Sequence, residues 1–338
     1  MDKKDEEFEE LFRKLHKEKA LGYLLANYQG FWFDKQLLKG TITFQNHFQA
    51  NDTDIILATL PKSGTTWLKA LTFSIVNRGK YQMEESPLLH TSPHQLIPFL
   101  ETNMYKSGEL PNDYLNSASC PRIFATHVPY QCLPSSILDD LANCRIIYLC
   151  RNLLDSFTSL LHFAKQNGFV PRFLEPVAMH RCLKSFSEGK VLYGPYWDQI
   201  IGYWEASSKN PQKILFLKFE DLKRDINSST RNIAEFLGCP FSAEEEKAGL
   251  VEEICKLCSL ESLMNMECNK KGETEIRFVA KNSSFFRKGE VGDWVNCLTP
   301  SMAEKLQKIM EEKFHECGLT FEIQATQFYQ ANIIIFLE

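Results

Sequence analysis

Apolar residues gather in four short runs along this chain: Ile55 to Leu60, Arg122 to Ala125, Arg145 to Cys150 and Lys213 to Phe219. Aliphatic runs of this length predict strands buried on both faces. Helix-length segments lie between them, and that alternation predicts an α/β fold, a single domain with a central parallel sheet flanked by helices. Residues 1–50 read as a helical, mixed-charge lead-in that ends in an aromatic patch from Tyr28 to Phe33. Residues 51–323 carry the main domain and 324–338 form a C-terminal tail. Pro, Asn, Ser and His accumulate between Gly79 and Pro121, which predicts loop with short helices. From Leu260 to Arg287 polarity rises and no period survives, which predicts a mobile flap.

Composition narrows the function classes. The 338 residues are 44% hydrophobic and 24% charged, ordinary for a soluble globule. The net charge of -5 supplies no broad cationic field, so nucleic acid is not an expected partner and any anion site must be local. The apolar stretch Ile333 to Leu337 is far shorter than the roughly 20 residues of a membrane-spanning helix. The charged start from Met1 to Glu7 leads into no apolar core, so a cytoplasmic protein without a secretory signal is expected. Eleven cysteines, an odd number without a regular frame, predict free thiols. Cys255 and Cys258 have the spacing of half a zinc site, but no second pair answers them and Cys268 has no fourth ligand after it; no metal is expected.

Candidate chemistry starts at Pro61-Lys62-Ser63-Gly64-Thr65-Thr66-Trp67, between the first apolar run and a helical segment. A strand that ends in a short turn and opens a helix aims free backbone N–H groups and the positive end of the helix dipole at one spot, where an anion binds. Gly64 permits close backbone approach, Thr65 and Thr66 add hydroxyls, and Lys62 brings a mobile charge. An ordinary strand-to-helix turn would also carry a Gly-Thr-Thr, but the whole string is more specific. A Walker A loop places its lysine after the last glycine, whereas Lys62 precedes Gly64. A P-loop kinase would also need a magnesium carboxylate at a strand end, which Ile147 to Cys150 does not offer.

Three more segments accompany the loop: Tyr148-Leu149-Cys150-Arg151-Asn152 running on to Ser159, Phe285-Phe286-Arg287-Lys288-Gly289 running on to Gly292-Asp293-Trp294, and Ala125-Thr126-His127-Val128-Pro129-Tyr130. Together the four resemble the cytosolic sulfotransferases that use 3′-phosphoadenosine-5′-phosphosulfate (PAPS). Trp67-Leu68-Lys69-Ala70-Leu71, Tyr193-Gly194-Pro195-Tyr196 and Ala125 resemble the plant branch. The likeness extends from about Tyr28 to Phe321.

The resemblance implies an enzyme that moves a sulfuryl group from PAPS to a hydroxyl of a small apolar acceptor, releasing PAP, without a metal. It implies a P-loop-like PAPS site in which Lys62, Ser63, Gly64, Thr65 and Thr66 hold the 5′-phosphosulfate and Trp67 stacks on the adenine. Arg151 and Ser159 would take the 3′-phosphate, with Arg287, Lys288 and Gly289 closing over it. His127 would be the general base, Lys62 would stabilise the bridging oxygen, and Ser159 would restrain Lys62 until the acceptor arrives. A non-catalytic PAPS or PAP binder would keep the same loops.

Some positions depart from the family pattern. Lys218-Phe219-Glu220-Asp221 stands where relatives carry Lys-Tyr-Glu-Asp, so Phe219 brings no hydroxyl to the adenine. Leu153-Leu154 replaces Pro-Lys, and the tail 324–338 matches nothing in the family. The dimer segment of animal relatives corresponds to Val295 to Glu304, where the key lysine and valine are missing, so a monomer is expected. The acceptor, of flavonoid, brassinosteroid-type or hydroxyjasmonate class, is expected among Tyr130, Phe163, Tyr193 and part of Tyr28 to Phe33.

Overall fold

The computed structural model describes residues 3–20, 22–106, 111, 121–169, 175–276 and 278–323. The expected tail 324–338 lies outside them. The aromatic lead-in folds as a three-stranded antiparallel sheet behind the helix Lys3–Lys14, with β1 Lys17–Ala20, β2 Tyr23–Tyr28 and β3 Phe31–Phe33. A strand meander here is an addition to the helical lead-in expected. Its signal is the two-residue turn Gln29-Gly30, with φ of 52° and 90°, the left-handed pair a tight hairpin requires.

The four apolar runs become β4 Ile55–Thr59, β5 Ile123–Thr126, β6 Arg145–Cys150 and β7 Ile214–Lys218, all parallel in the order β5-β4-β6-β7. Alternate side chains enter two cores on opposite faces: Ile56, Ala58, Phe124, Ile146 and Tyr148 on one, Leu57, Ala125, Ile147 and Leu149 on the other. Burial on both faces explains why the strands read as unbroken apolar runs. The chain leaves β4 first for β5 on one side and later for β6 on the other. The carboxyl end of β4 is therefore a switch point, the place where open α/β sheets hold ligands.

The segment expected to be a periodless flap is made of the helices Leu260–Asn265 and Glu267–Lys271, then the hairpin β8 Glu273–Glu275 and β9 Val279–Lys281. Its polar residues point inward as pins: Asn269 Nδ2 donates to Leu263 O at 2.9 Å and Asn282 Nδ2 to Cys268 O at 2.8 Å. Elements of three to six residues are too short to show a period, so their polarity alone reads as loop. Between Gly79 and Leu96 the short turns Met83–Glu85, Pro87–Leu89 and Pro93–Leu96 follow the expectation. Among the described residues no helix is long and apolar enough to cross a membrane.

Candidate active site

The loop after β4 is built around two left-handed residues, Lys62 at φ 70° and Gly64 at φ 109°. A Cβ on Gly64 would lie 2.9 Å from Phe219 Cδ2 and 3.1 Å from Leu149 Cδ2, so both conformation and space call for glycine. The helix Thr65–Asn77 starts there, and its first backbone bond runs from Leu68 N to Gly64 O at 3.0 Å. The amides from Gly64 to Trp67 precede that bond and open onto a cavity of about 1130 Å³. Ser63 differs: its amide donates to Leu60 O at 3.2 Å, and its hydroxyl is buried without a partner.

Lys62 lies on the same cavity, its Nζ 4.2 Å from the centre of the Phe163 ring. Burial first, then the charges of Arg151 and Arg287, lowers it to about 7. A cation over an aromatic face without a carboxylate partner is poised to meet an anion.

His127 follows β5 at the next strand end. Its Nδ1 lies 2.7 Å from Thr59 O, a pure acceptor, so Nδ1 carries the proton and Nε2 keeps its lone pair. Burial lowers its pKa to about 3 against the opposing bond to Thr59, with the Lys69 and Lys62 charges adding to the fall. The imidazole is thus neutral over the physiological range. Glu101, buried in the π-helical turn Leu100–Met104, accepts from His127 N, Thr126 Oγ1 and Tyr193 OH, each at 2.9 Å. Gln199 Nε2 donates to His127 O at 2.8 Å. His127 is held at its backbone as well as its ring.

The third strand end presents Arg151, 4% exposed, with its guanidinium 4.4 Å from the centre of the Phe219 ring. Asp155 is the hub behind it. This carboxylate, in the helix Leu153–Gln166, lies 3.6 Å from Arg151 Nη2 and accepts from Gly292 N at 2.8 Å and Trp294 N at 3.2 Å, tying that helix to the Gly292-Asp293-Trp294 turn. Arg287 and Lys288 both pair with Asp293. Burial pushes Asp293 up, but hydrogen bonds from Lys288, Arg287 and Asn296 outweigh it and hold the carboxyl at about 2. Arg151 Nε and Arg287 Nε are buried without partners. Both residues line the cavity, and two guanidinium groups beside one cavity fit a phosphate that the protein itself does not supply.

The sulfotransferase domain family model matches residues 52–318. The chain is 44% identical to cytosolic sulfotransferase 12 of Arabidopsis thaliana over 92% of its own length and 93% of that protein's. The chain belongs to the plant cytosolic sulfotransferase family. Flavonol 4′-sulfotransferase of Flaveria chlorifolia is 43% identical, over 88% of this chain and 90% of that one. A crystal structure titled as a putative steroid sulphotransferase of Arabidopsis thaliana superposes with a TM-score of 0.73 at 38% identity, covering 95% of this chain and 98% of the other.

In this sulfotransferase the strand ends gather most of the residues singled out from sequence. Lys62, Gly64, Thr65, Thr66, Trp67 and His127 line the cavity on one side; Arg151, Ser159, Phe219, Arg287 and Gly289 line it on the other. Ser63 and Lys288 do not line it. Phe163 and Tyr193 do, but Tyr130 does not. The short turn Tyr130–Cys132 carries the Tyr130 ring onto Tyr203, 5.5 Å between centroids, beside a separate cavity of about 340 Å³. The Tyr28 to Phe33 patch also packs elsewhere: Phe31, Trp32 and Phe33 are buried in the cores, and the N-terminal sheet contributes Ala20, Tyr23 and Leu25 to the wall instead. Tyr193 is reached through that sheet, since its amide donates to Trp32 O at 2.8 Å. Cys255 and Cys258 meet Thr230 Oγ1 and Ser74 Oγ at 3.2 and 3.4 Å, small polar contacts within a helix bundle. Thr59, Glu101, Asp155 and Gln199 support the site without having been singled out. Only the Asn152-x-x-Asp155 spacing, a helix cap whose acid also serves the site, offered a local cue.

Proposed function

We propose that this enzyme transfers a sulfuryl group from PAPS to a hydroxyl of a small apolar acceptor of flavonoid, brassinosteroid-type or hydroxyjasmonate class, by in-line displacement with His127 as general base. The observation that carries the reading is the Nδ1-anchored, neutral His127 sharing one cavity with Lys62, while Arg151 and Arg287 line the same space. PAPS, when bound, supplies the sulfuryl group and leaves as PAP. The amides from Gly64 to Trp67 would hold the 5′-phosphate and Arg151, Ser159, Arg287 and Gly289 the 3′-phosphate. Trp67, edge-on to Phe219 at 5.5 Å, would offer its face to the adenine. His127 Nε2 takes the acceptor's proton, and Lys62 offsets the charge that grows on the bridging oxygen. Phe163, Tyr193 and Phe157 give the acceptor end apolar walls.

The test is a screen of hydroxylated small molecules with PAPS, read by mass spectrometry, in parallel with and without EDTA. Sulfated product that persists in EDTA is expected. Loss of all transfer in EDTA would turn the reading toward metal-dependent phosphoryl chemistry, and tight PAP binding with no transfer to any acceptor would leave a binding protein.

A further inference from the structure

Lys69, on the buried face of the helix that follows the phosphate loop, is 0% exposed and has no carboxylate in contact. Its Nζ donates to Ile97 O at 2.8 Å, lies 3.2 Å from His94 Nδ1, and sits 3.5 Å above the centre of the Phe99 ring. His94 Nε2 in turn lies 2.9 Å from Thr66 Oγ1, in the loop itself. His94 is 6% exposed and is wedged against Phe285, 4.3 Å between centroids, and its segment is fixed by a capping box between Ser92 and Gln95. None of these contacts is needed by the mechanism above.

The direction of each bond can be worked out from the donors available. An aromatic face attracts an N–H or a positive charge and repels a lone pair. In its ammonium form, favoured by the Phe99 face and the nearby Glu101 charge against burial, Lys69 Nζ directs its three hydrogens toward Ile97 O, His94 Nδ1 and the Phe99 face. His94 then accepts at Nδ1 and must carry its proton on Nε2, because burial first, then the neighbouring charges of Lys69 and Lys62, keep the ring neutral. That Nε2–H is donated to Thr66 Oγ1. With its oxygen occupied as an acceptor, the Thr66 hydroxyl has its hydrogen free for the cavity, where an anion would take it.

We propose that Lys69, His94 and Thr66 form a hydrogen-bond relay that fixes the Thr66 hydroxyl as a donor to the 5′-phosphate of PAPS, with Lys69 and His94 as positioning residues. The proposal rests on the reading of the cavity as a PAPS site. The Lys69 ammonium reaches the phosphate through three polarised hydrogen bonds in series and never touches the ligand. The arrangement also makes His94 and His127 opposite tautomers, Nε2–H and Nδ1–H, within one site.

Two measurements test it. Nitrogen-15 NMR of the histidine rings in the ligand-free wild type, with the His94 signals identified by their loss in His94→Gln, should show His94 as the Nε2–H tautomer. Finding Nδ1–H there would reverse every bond and overturn the relay, whether or not any variant folds. Calorimetry then compares PAP with adenosine 3′-monophosphate, which lacks the 5′-phosphate. Lys69→Met should weaken PAP about tenfold and leave adenosine 3′-monophosphate within about twofold, and it should have no further effect in a Thr66→Val background. Equal weakening of both ligands, no weakening of either, or an undiminished effect with Thr66→Val would overturn the relay while leaving the PAPS site standing. A wild type that binds neither ligand would overturn the site and the relay together.

Discussion

Replacing Lys62 by methionine should change the number of protons taken up when the donor site fills. In the free protein burial, followed by Arg151 and Arg287, holds the Lys62 ammonium at about 7 against an ordinary 10.5. That difference is at most roughly 5 kcal/mol against the charged form. It is an upper figure because the side chain is half-buried and cavity water screens it. A phosphate anion placed beside Lys62 favours the ammonium again. The complex therefore holds the proton more tightly than the free protein. At pH 8 a group with a pKa of about 7 is about nine-tenths neutral, so filling the site should take up about 0.9 proton. Affinity should fall as pH rises from about 7 toward 10.5, by up to about tenfold per pH step of one, and flatten below 7.

Calorimetry of PAP binding at pH 8, in two buffers of different ionisation enthalpy, reads the uptake directly. The ligand's own phosphates titrate near pH 6, so measurements above pH 7.5 keep them out of the count. Lys69 is the other buried lysine whose pKa burial holds far down, with Glu101 pulling the opposite way. Any contribution from it persists in Lys62→Met and cancels in the difference. Lys62→Arg supplies a second reference, a charge that cannot titrate in this range. Equal proton uptake by wild type and Lys62→Met at pH 8, or a wild-type affinity that is flat from pH 7 to 9, would refute the reasoning.

Three further outcomes are expected. His127→Gln should lower the transfer rate by at least about a hundredfold while PAP affinity measured by calorimetry stays within about twofold, since the ring acts on the acceptor's proton and not on the donor; an unchanged rate removes His127 from the chemistry. Gly64→Ala should cost about 2 kcal/mol in urea unfolding, from its left-handed backbone and the 2.9 Å approach of Phe219, and a neutral midpoint would show that the loop rearranges freely. Phe219→Tyr should tighten PAP by about 0.5–1.5 kcal/mol if the restored hydroxyl finds the adenine; equal affinity in calorimetry would mean that Phe219 serves only as the wall between Gly64, Trp67 and Arg151.

What could be read in the sequence and what could not divide along a physical line. The parallel strands were legible because burial on both faces leaves each as a continuous aliphatic run, and the residues at their carboxyl ends, Lys62, His127, Arg151 and Phe219, stand directly after those runs. Groups that reach the site from elsewhere in the chain left no such mark. Glu101 holds His127 from 26 residues earlier, and His94 meets Thr66 from 28 residues later, both within a stretch whose Pro, Asn and Ser content describes only its turns. Polarity there predicts loop with short helices and between Leu260 and Arg287 a flap, yet Asn269, Asn282, His94 and Glu101 point their polar atoms inward, where an unpaired group would be costly and a paired one fixes the loop. Tyr130 failed for the converse reason: it adjoins the motif in sequence, but a single 3-10 turn after Pro129 is enough to swing its ring away from the cavity and onto Tyr203. Adjacency to a motif thus locates a backbone, and only the turn that follows decides which side of the sheet's edge a side chain serves.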